Sequence, residues 1–273
     1  MSPSTSTAAA GVLDDATLEF YRAAMELMEA GGLEFLVGGA YAFAQYTGVV
    51  RHTKDFDVFI RREDFDRATD IFESAGYKTE LTFPHWIGKA FKGDDFVDLI
   101  FSAGNGVAAV DELWFTRAVR GIVFGRPVKM IPPEEMIWSK GLIMERERYD
   151  GADVTHLINA YGQNFDWRHL VLRYGRYWRV LYAHLILFGF IYPSDRDKIP
   201  RWVMDALAQR LAVDTERGEA YDRICYGTLL SRQQYLVDVE KRGYKDARLE
   251  PLGTMSEEEI AKWTAGISVD GGK

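Results

Sequence analysis

Two acidic residues at alternate positions are the first residues of this sequence that could do chemistry. Asp55 and Asp57 lie on either side of Phe56 at the start of a segment, Asp55 to Ile60, that is predicted to form a strand. Alternate residues of a strand point to the same face, with Cα atoms about 6–7 Å apart, so the two carboxylates could share a divalent cation. Acidic pairs are also common on solvated strand faces, so the pair alone is a weak indication.

A third acid, Asp98, interrupts segment 97–101, which is apolar enough to form a buried strand. An unpaired carboxylate in such a strand would be strongly destabilising, so its charge requires compensation. A metal ion shared with Asp55 and Asp57 would explain all three acids together. The alternative is an ion pair with a basic residue, for which the sequence offers Lys89, Lys92 and Arg51.

A glycine pair, Gly38-Gly39, separates a short predicted strand, 35–37, from a predicted helix that begins at Ala40. Backbone N–H groups at such a turn, together with the helix dipole, can hold a phosphate group, although a glycine pair alone more often marks a tight turn. Here the pair precedes the two alternate acids and the third acid. This order indicates cations that neutralise a triphosphate, with Asp98 placed to take the proton of an attacking hydroxyl group.

These segments together resemble the nucleotidyltransferase superfamily of the DNA polymerase β type. The similar motifs are Leu36-Val37-Gly38-Gly39, the segment RHTKDFDV at 51–58, and Val97-Asp98-Leu99, all within residues 33–131. The resemblance is greatest to small bacterial members, which include antibiotic nucleotidyltransferases and toxin-like proteins.

The resemblance implies two Mg²⁺ ions on Asp55 and Asp57, a site completed by Asp98, and a nucleoside triphosphate whose phosphates contact Gly38 and Gly39. Thr53 is a further candidate for nucleotide binding. The sequence departs from the usual pattern after the glycines, where many members have a serine and this chain has an alanine, Ala40. Only backbone N–H groups then remain at that point of the turn to hold phosphate.

Lys140 interrupts the apolar face of a helix predicted from Glu134 to Glu147. Its ammonium group is expected to emerge into a cleft and contact phosphate, as the second domain of the superfamily often does. The alternative is a lysine that covers core with its aliphatic stem.

One stretch is both basic and aromatic, and no acid lies within it. Its arginines are Arg168, Arg173, Arg176 and Arg179, interleaved with tryptophan and tyrosine. On one continuous helix, 167–190, the last three would form a face that could bind an RNA backbone. Alternatively, these arginines stack on the aromatic rings and pair with acids of the first domain.

Strand and helix patterns alternate up to residue 131, and helical patterns dominate from Pro132-Pro133 onwards. The fold class expected is therefore α/β (α+β), with a flexible arm at 1–12, a mixed-sheet domain at 13–131 and an all-helical domain at 132–273. The expected strands are 35–37, 55–60, 77–83, 86–91, 96–101, 122–124 and 128–131. The expected helices are 14–30, 40–46, 63–75, 110–118, 134–147, 152–161, 167–190, 201–212 and 229–242.

The composition is that of a globular protein in a reducing compartment. The chain has 273 residues, 47% of them hydrophobic, a net charge of −8 and a single cysteine, which excludes an internal disulfide. The apolar run 180–192 is too short for a membrane-spanning helix, which needs about 20 residues. We therefore expect a cytoplasmic protein, and any nucleic acid would have to bind to a local basic surface.

The function expected is Mg²⁺-dependent transfer of a nucleoside monophosphate from a nucleoside triphosphate to an acceptor. The acceptor is left open between RNA, including tRNA, a protein and a small hydroxylated molecule. The alternative is a nucleotidyltransferase fold that binds a nucleotide or a partner with little or no turnover. A nuclease is disfavoured because the acid-x-Lys pattern is absent after Asp98. Neither an antitoxin nor a second copy as partner can be read from the sequence.

Overall fold

A computed structural model describes residues 13–51, 53, 55–216 and 223–266. The predicted arm, residues 1–12, lies outside the described residues. The chain divides into two units. The first extends to Ser102 and also includes Ala109–Pro132, and the second consists of Ala103–Ala108 and the chain from Pro133 onwards.

The first unit is built on a seven-stranded mixed sheet, which confirms the predicted fold class. Its strands are β1 (Leu36–Val37), β2 (Phe56–Phe59), β3 (Lys78–Phe83), β4 (Ile87–Lys92), β5 (Asp95–Ile100), β6 (Val119–Val123) and β7 (Arg126–Met130). They lie in the order β3-β4-β5-β2-β1-β7-β6. β1 is parallel to β7 and β2 is parallel to β5, whereas the other neighbours are antiparallel.

The helices of this unit are α1 (Asp15–Ala30), α2 (Gly39–Thr47), α3 (Phe65–Ser74) and α4 (Glu112–Thr116). The side chain of Asp14 caps α1 by accepting a hydrogen bond of 2.8 Å from the N–H of Thr17. The apolar stripe of α1 is buried, as its helical spacing predicts.

Strand register places Asp57 and Asp98 on one face of the sheet and Phe56 and Val97 on the other. Asp57 and Asp98 alternate with Phe56 and its buried neighbours. On the Phe56 face, the ring of Tyr21 from α1 lies 5.0 Å from that of Phe56, and Phe65 of α3 packs closely against β4. Asp57 and Asp98 therefore point away from α1 and α3.

The β6–β7 turn differs from the prediction by one residue. The strand expected at 122–124 would place the turn after Phe124, at Gly125-Arg126, whereas the structure turns at Phe124-Gly125, with φ of 53° and 78°. Two-residue hairpin turns of this kind need positive φ at both central residues, and glycine supplies the second at little cost.

The second unit is mainly helical, with one short pair of parallel strands that the sequence pattern did not predict. Its helices are α5 (Pro133–Gly141), α6 (Gly151–Tyr161), α7 (Trp167–Tyr174), α8 (Trp178–Ile191), α9 (Arg201–Glu216), α10 (Leu236–Arg242) and α11 (Glu257–Ala265). The strands are β8 (Ile224–Cys225) and β9 (Lys245–Asp246).

Four helix predictions for this unit were wrong in their extent. The helix expected over 201–212 continues to Glu216. The helix expected over 134–147 ends at Gly141, and the one expected over 229–242 begins only at Leu236. The long helix expected over 167–190 is broken at Gly175, where φ is +43° and a short 3-10 turn follows. Among the described residues, no helix is long and apolar enough to cross a membrane.

Candidate functional site

The candidate site is centred on the register between β2 and β5. Asp57 lies directly opposite Asp98 in these parallel strands, so both carboxylates leave the sheet on the same face. Asp55 precedes β2 and is exposed, and its backbone N–H donates a hydrogen bond of 3.0 Å to Oγ1 of Thr53. The structure thus places Asp57 and Asp98 on adjacent strands, with Asp55 in the loop before β2 that Thr53 joins by this hydrogen bond. His52 and Lys54, which share this motif, lie outside the described residues.

The glycine pair meets Asp57 directly. The backbone N–H of Gly38 donates to the carbonyl of Asp57 over 3.0 Å. Gly39 begins α2 with φ of +54°, and a β-carbon at Gly39 would overlap Oδ2 of Asp57. A residue without a side chain is therefore required here for two reasons, the positive φ and the close approach of the carboxylate. The N-terminus of α2 and the carboxylate of Asp57 therefore lie directly beside each other.

Asp98 is paired with Lys89 of β4. The two residues lie opposite each other in the antiparallel β4–β5 ladder, and Nζ of Lys89 is 2.7 Å from Oδ1 of Asp98. Asp98 is buried, with 7% of its surface exposed. Burial raises the pKa of Asp98 above its usual value, the charge of Lys89 opposes that rise, and the negative charge of Asp55 adds to it. The structure contains the ion pair, which is one of the two compensations that the sequence left open.

Tyr41 is a site residue that the sequence reasoning missed. Its hydroxyl group donates to the backbone carbonyl of Thr53 over 3.4 Å, which ties α2 to the loop before β2. Burial, followed by the negative charges of Asp57 and Asp55, raises the pKa of Tyr41 to about 12. The hydroxyl group therefore keeps its proton at neutral pH. Its position two residues after Gly39, on the first turn of α2, was the signal available in the sequence.

Asp55, Asp57 and Asp98 have the ligand chemistry that a divalent cation prefers, but their side chains are not already arranged around one metal position. Carboxylate oxygens are the ligands that Mg²⁺ prefers, and Asp55, Asp57 and Asp98 supply them beside a glycine turn. Within residues 13–51, 53, 55–216 and 223–266, however, no group of three carboxylate, histidine or cysteine side chains is placed to hold a metal ion. Lys89 already neutralises Asp98. Metal binding by the three acids thus stays a prediction.

Lys140 lies on α5 and is held by two buried acids at the start of α6. Its Nζ is 3.1 Å from Oδ2 of Asp150 and 2.7 Å from Oδ2 of Asp153, and 16% of its side chain is exposed. Arg148 also reaches Asp150, at 2.8 Å. The ammonium group is thus engaged in an ion-pair cluster of the second unit, and its proposed contact with phosphate stays a prediction.

The basic aromatic stretch does not form one continuous helical face, because the chain breaks at Gly175 between α7 and α8. Arg173 is almost buried and donates to Glu135 over 2.9 Å, and its guanidinium group lies over Trp138. Arg176 donates to the backbone carbonyl of Leu252. Arg179 pairs with Asp214 at 2.9 Å and stacks on Trp178. Arg168 is exposed. The prediction of a single arginine face was wrong, and stacking with ion pairing inside the second unit is observed.

Three solved structures, among others, are similar to this chain over much of their length, although their sequence identity to it is low. One is the antibiotic-resistance factor ANT(2'')-Ia, with 19% identity, a TM-score of 0.37 and coverage of 75% of this chain and 98% of that chain. Another is the lincosamide antibiotic adenylyltransferase LnuA, with 16% identity, a TM-score of 0.38 and coverage of 54% and 97%. A third is JHP933 from Helicobacter pylori, with 12% identity, a TM-score of 0.35 and coverage of 76% and 100%.

A comparison with curated protein sequences finds no significant match. The family described as "Uncharacterised nucleotidyltransferase" matches residues 21–187. This segment is more than half of the chain and contains the glycine turn, the alternate acids Asp55 and Asp57, and Asp98 of β5. The chain therefore belongs to this nucleotidyltransferase family.

Proposed function

We propose that this protein transfers a nucleoside monophosphate from a nucleoside triphosphate to an acceptor hydroxyl group. One observation carries the proposal: the carboxylate of Asp57 lies against the glycine turn that begins α2 and is in register with Asp98. In a chain of a nucleotidyltransferase family, this arrangement supports a site in which the glycine turn would bind phosphate beside two acids.

The glycine turn is proposed to bind the phosphates of the nucleotide. The N–H of Gly38, which was predicted to contact phosphate, is buried and already donates to the carbonyl of Asp57. The phosphates would instead meet the N–H of Gly39 and of the first turn of α2, a nine-residue helix whose dipole favours negative charge at this end. Ala40 follows without a hydroxyl group, so these contacts would be made by the backbone. Thr53 and Tyr41 would keep the loop before β2 in position, and Lys140 is the candidate phosphate contact from the second unit.

Asp55 and Asp57 are the residues that would hold Mg²⁺, with Asp98 as the third ligand. When bound, the ion would neutralise the triphosphate and stabilise the leaving pyrophosphate. Asp98 would accept the proton of the acceptor hydroxyl group while the oxygen of that hydroxyl group bonds to the α-phosphorus. The bond between the α-phosphorus and the bridging oxygen then breaks, and pyrophosphate leaves with the electron pair.

A second candidate function is nucleotide binding with little turnover. The Lys89–Asp98 ion pair favours it, because a carboxylate engaged by an ammonium group is a poorer metal ligand and proton acceptor. The two functions differ in one measurable property, the release of pyrophosphate in the presence of an acceptor.

The proposal is tested by incubating the protein with each of the four triphosphates labelled at the α-phosphate, with Mg²⁺. Total tRNA, the protein itself and a set of small hydroxylated compounds are offered as acceptors. We expect label to enter one acceptor class and pyrophosphate to be released. Nucleotide binding without either product would favour the second candidate.

Asp57→Asn tests the site within that assay. We expect transfer to fall by at least about 100-fold, because the variant loses a carboxylate that would neutralise the triphosphate. The melting temperature should stay the same or rise, since the change relieves repulsion between neighbouring acids. Asp70→Asn, an exposed acid on α3, is the matched control and should transfer normally. Full transfer by Asp57→Asn would refute the assignment.

A further inference from the structure

We propose that Lys89 is a built-in counter-ion of Asp98, which a divalent cation has to displace in order to use Asp98 as a ligand. The inference rests on the proposed function, because it concerns the same metal site. It predicts that the protein without nucleotide binds divalent cations weakly, and that Lys89 is the residue responsible.

The position of Lys89 is fixed by strand pairing rather than by a mobile loop. Lys89 lies opposite Asp98 on β4, and Asp57 lies opposite Asp98 on β2, so all three side chains leave the sheet on one face. The ammonium group is 2.7 Å from Oδ1 of Asp98 and 3.6 Å from the centre of the Phe96 ring. The carboxylate and the aromatic face hold the same cation at one place.

The burial of the pair makes this contact effective. The side chain of Asp98 is 10% exposed and that of Lys89 is 24% exposed, so solvent screens their attraction only in part. A cation that coordinates Asp98 must separate this pair and also meets the repulsion of a nearby ammonium group. The affinity of the three acids for metal is therefore lowered as long as Lys89 stays in place.

Titration with Mn²⁺ in the absence of nucleotide, followed by calorimetry, tests the inference. We expect Lys89→Met to bind Mn²⁺ at least about tenfold more tightly than the unaltered protein, because the competing charge is gone. Lys89→Arg keeps a cation beside Asp98 and should bind as the unaltered protein does. Lys92→Met is the matched control, because Lys92 is an exposed lysine of the same strand on the opposite face.

A second measurement covers the effect of the substitution on folding. Removing Lys89 leaves Asp98 buried without its partner, so Lys89→Met should melt at a lower temperature than the unaltered protein in a chelator. Mn²⁺ should reverse that decrease in melting temperature, and it should raise the melting temperature of the variant more than that of the unaltered protein. If Lys89→Met does not fold, Lys89→Gln, which keeps a hydrogen-bond donor without the charge, takes its place in both measurements.

Equal Mn²⁺ affinities for Lys89→Met and the unaltered protein would overturn the inference, as would the lack of measurable binding to either. Neither result would contradict the proposed function, which the transfer assay of Asp57→Asn tests independently. Conversely, tighter Mn²⁺ binding by Lys89→Met, together with no transfer by the unaltered protein, would support the counter-ion and refute the transferase.

Discussion

Gly39 sets the distance between the start of α2 and the carboxylate of Asp57. Its φ of +54° is a conformation that glycine adopts at little cost, and the space a side chain would need is taken by Asp57. Gly48, at the other end of the same helix, also has positive φ, +72°, but a side chain there would meet open space. Both glycines therefore have a positive φ, but only Gly39 is closely approached by another side chain, that of Asp57.

Substituting these glycines by alanine separates the two effects. We expect Gly48→Ala to destabilise the protein by about 1 kcal/mol through the strained backbone alone. Gly39→Ala should cost more, since Asp57 must also move, and it should abolish nucleotidyl transfer. Melting curves and the transfer assay measure both. If Gly39→Ala melts like Gly48→Ala and retains transfer, the contact between the glycine turn and Asp57 has no role in the site.

At the scale of the elements, sequence patterns predicted the sheet strands well and several helix ends poorly. Alternation and apolar runs located the strands because each pattern is local. The register that brings Asp57 opposite Asp98 depends on pairing between distant segments, and no local pattern specifies it. The same reason left the partner of Asp98 open among three basic residues. Gly175 shows another limit, because a glycine inside a helical pattern is often tolerated and here ends the helix.

The junction of α5 and α6 depends on the ion pairs of Lys140. Burial alone would raise the pKa of Asp150, but the hydrogen bond from Arg148 and the charge of Lys140 outweigh burial and hold that pKa below its usual value. A carboxylate with a lowered folded-state pKa stabilises the fold above its unfolded-state pKa of about 4. That contribution is lost as the pH falls through the lower, folded-state value.

Lys140→Met should therefore destabilise the protein in a pH-dependent way. At pH 7 we expect a loss of about 3 kcal/mol, because Asp150 and Asp153 lose a buried partner. The difference from the unaltered protein should shrink below about pH 4, where protonated acids need no cation. Melting curves from pH 3 to pH 7 measure it. Lys129→Met, which removes an exposed ion pair with Glu34, should cost less than about 1 kcal/mol at every pH. A loss for Lys140→Met as small as that of the control would show that Lys140 is free for a contact with phosphate.

For the whole molecule, charge bears on the choice of acceptor. The net charge of −8 opposes the approach of a polyanion, so RNA could bind only at a concentrated basic surface. The arginines predicted to bind RNA lie on either side of the break at Gly175. Two of them, Arg173 and Arg179, are paired with acids. Their charges are thus partly neutralised within the second unit. This arrangement favours a hydroxylated acceptor smaller than RNA.

The salt dependence of RNA binding tests this choice directly. Binding of total tRNA is measured over a salt series for the unaltered protein and for the double variant Arg176→Gln with Arg179→Gln. We expect equal slopes of log K against log salt, because these guanidinium groups already bind a backbone carbonyl and an acid. A double variant of two exposed arginines elsewhere, Arg146→Gln with Arg201→Gln, is the control. If the stretch bound RNA, the slope would fall by about 1.4, at roughly 0.7 for each lost contact with a single strand. Such a fall, confined to the first double variant, would make RNA the acceptor to pursue and would overturn the preference for a small molecule.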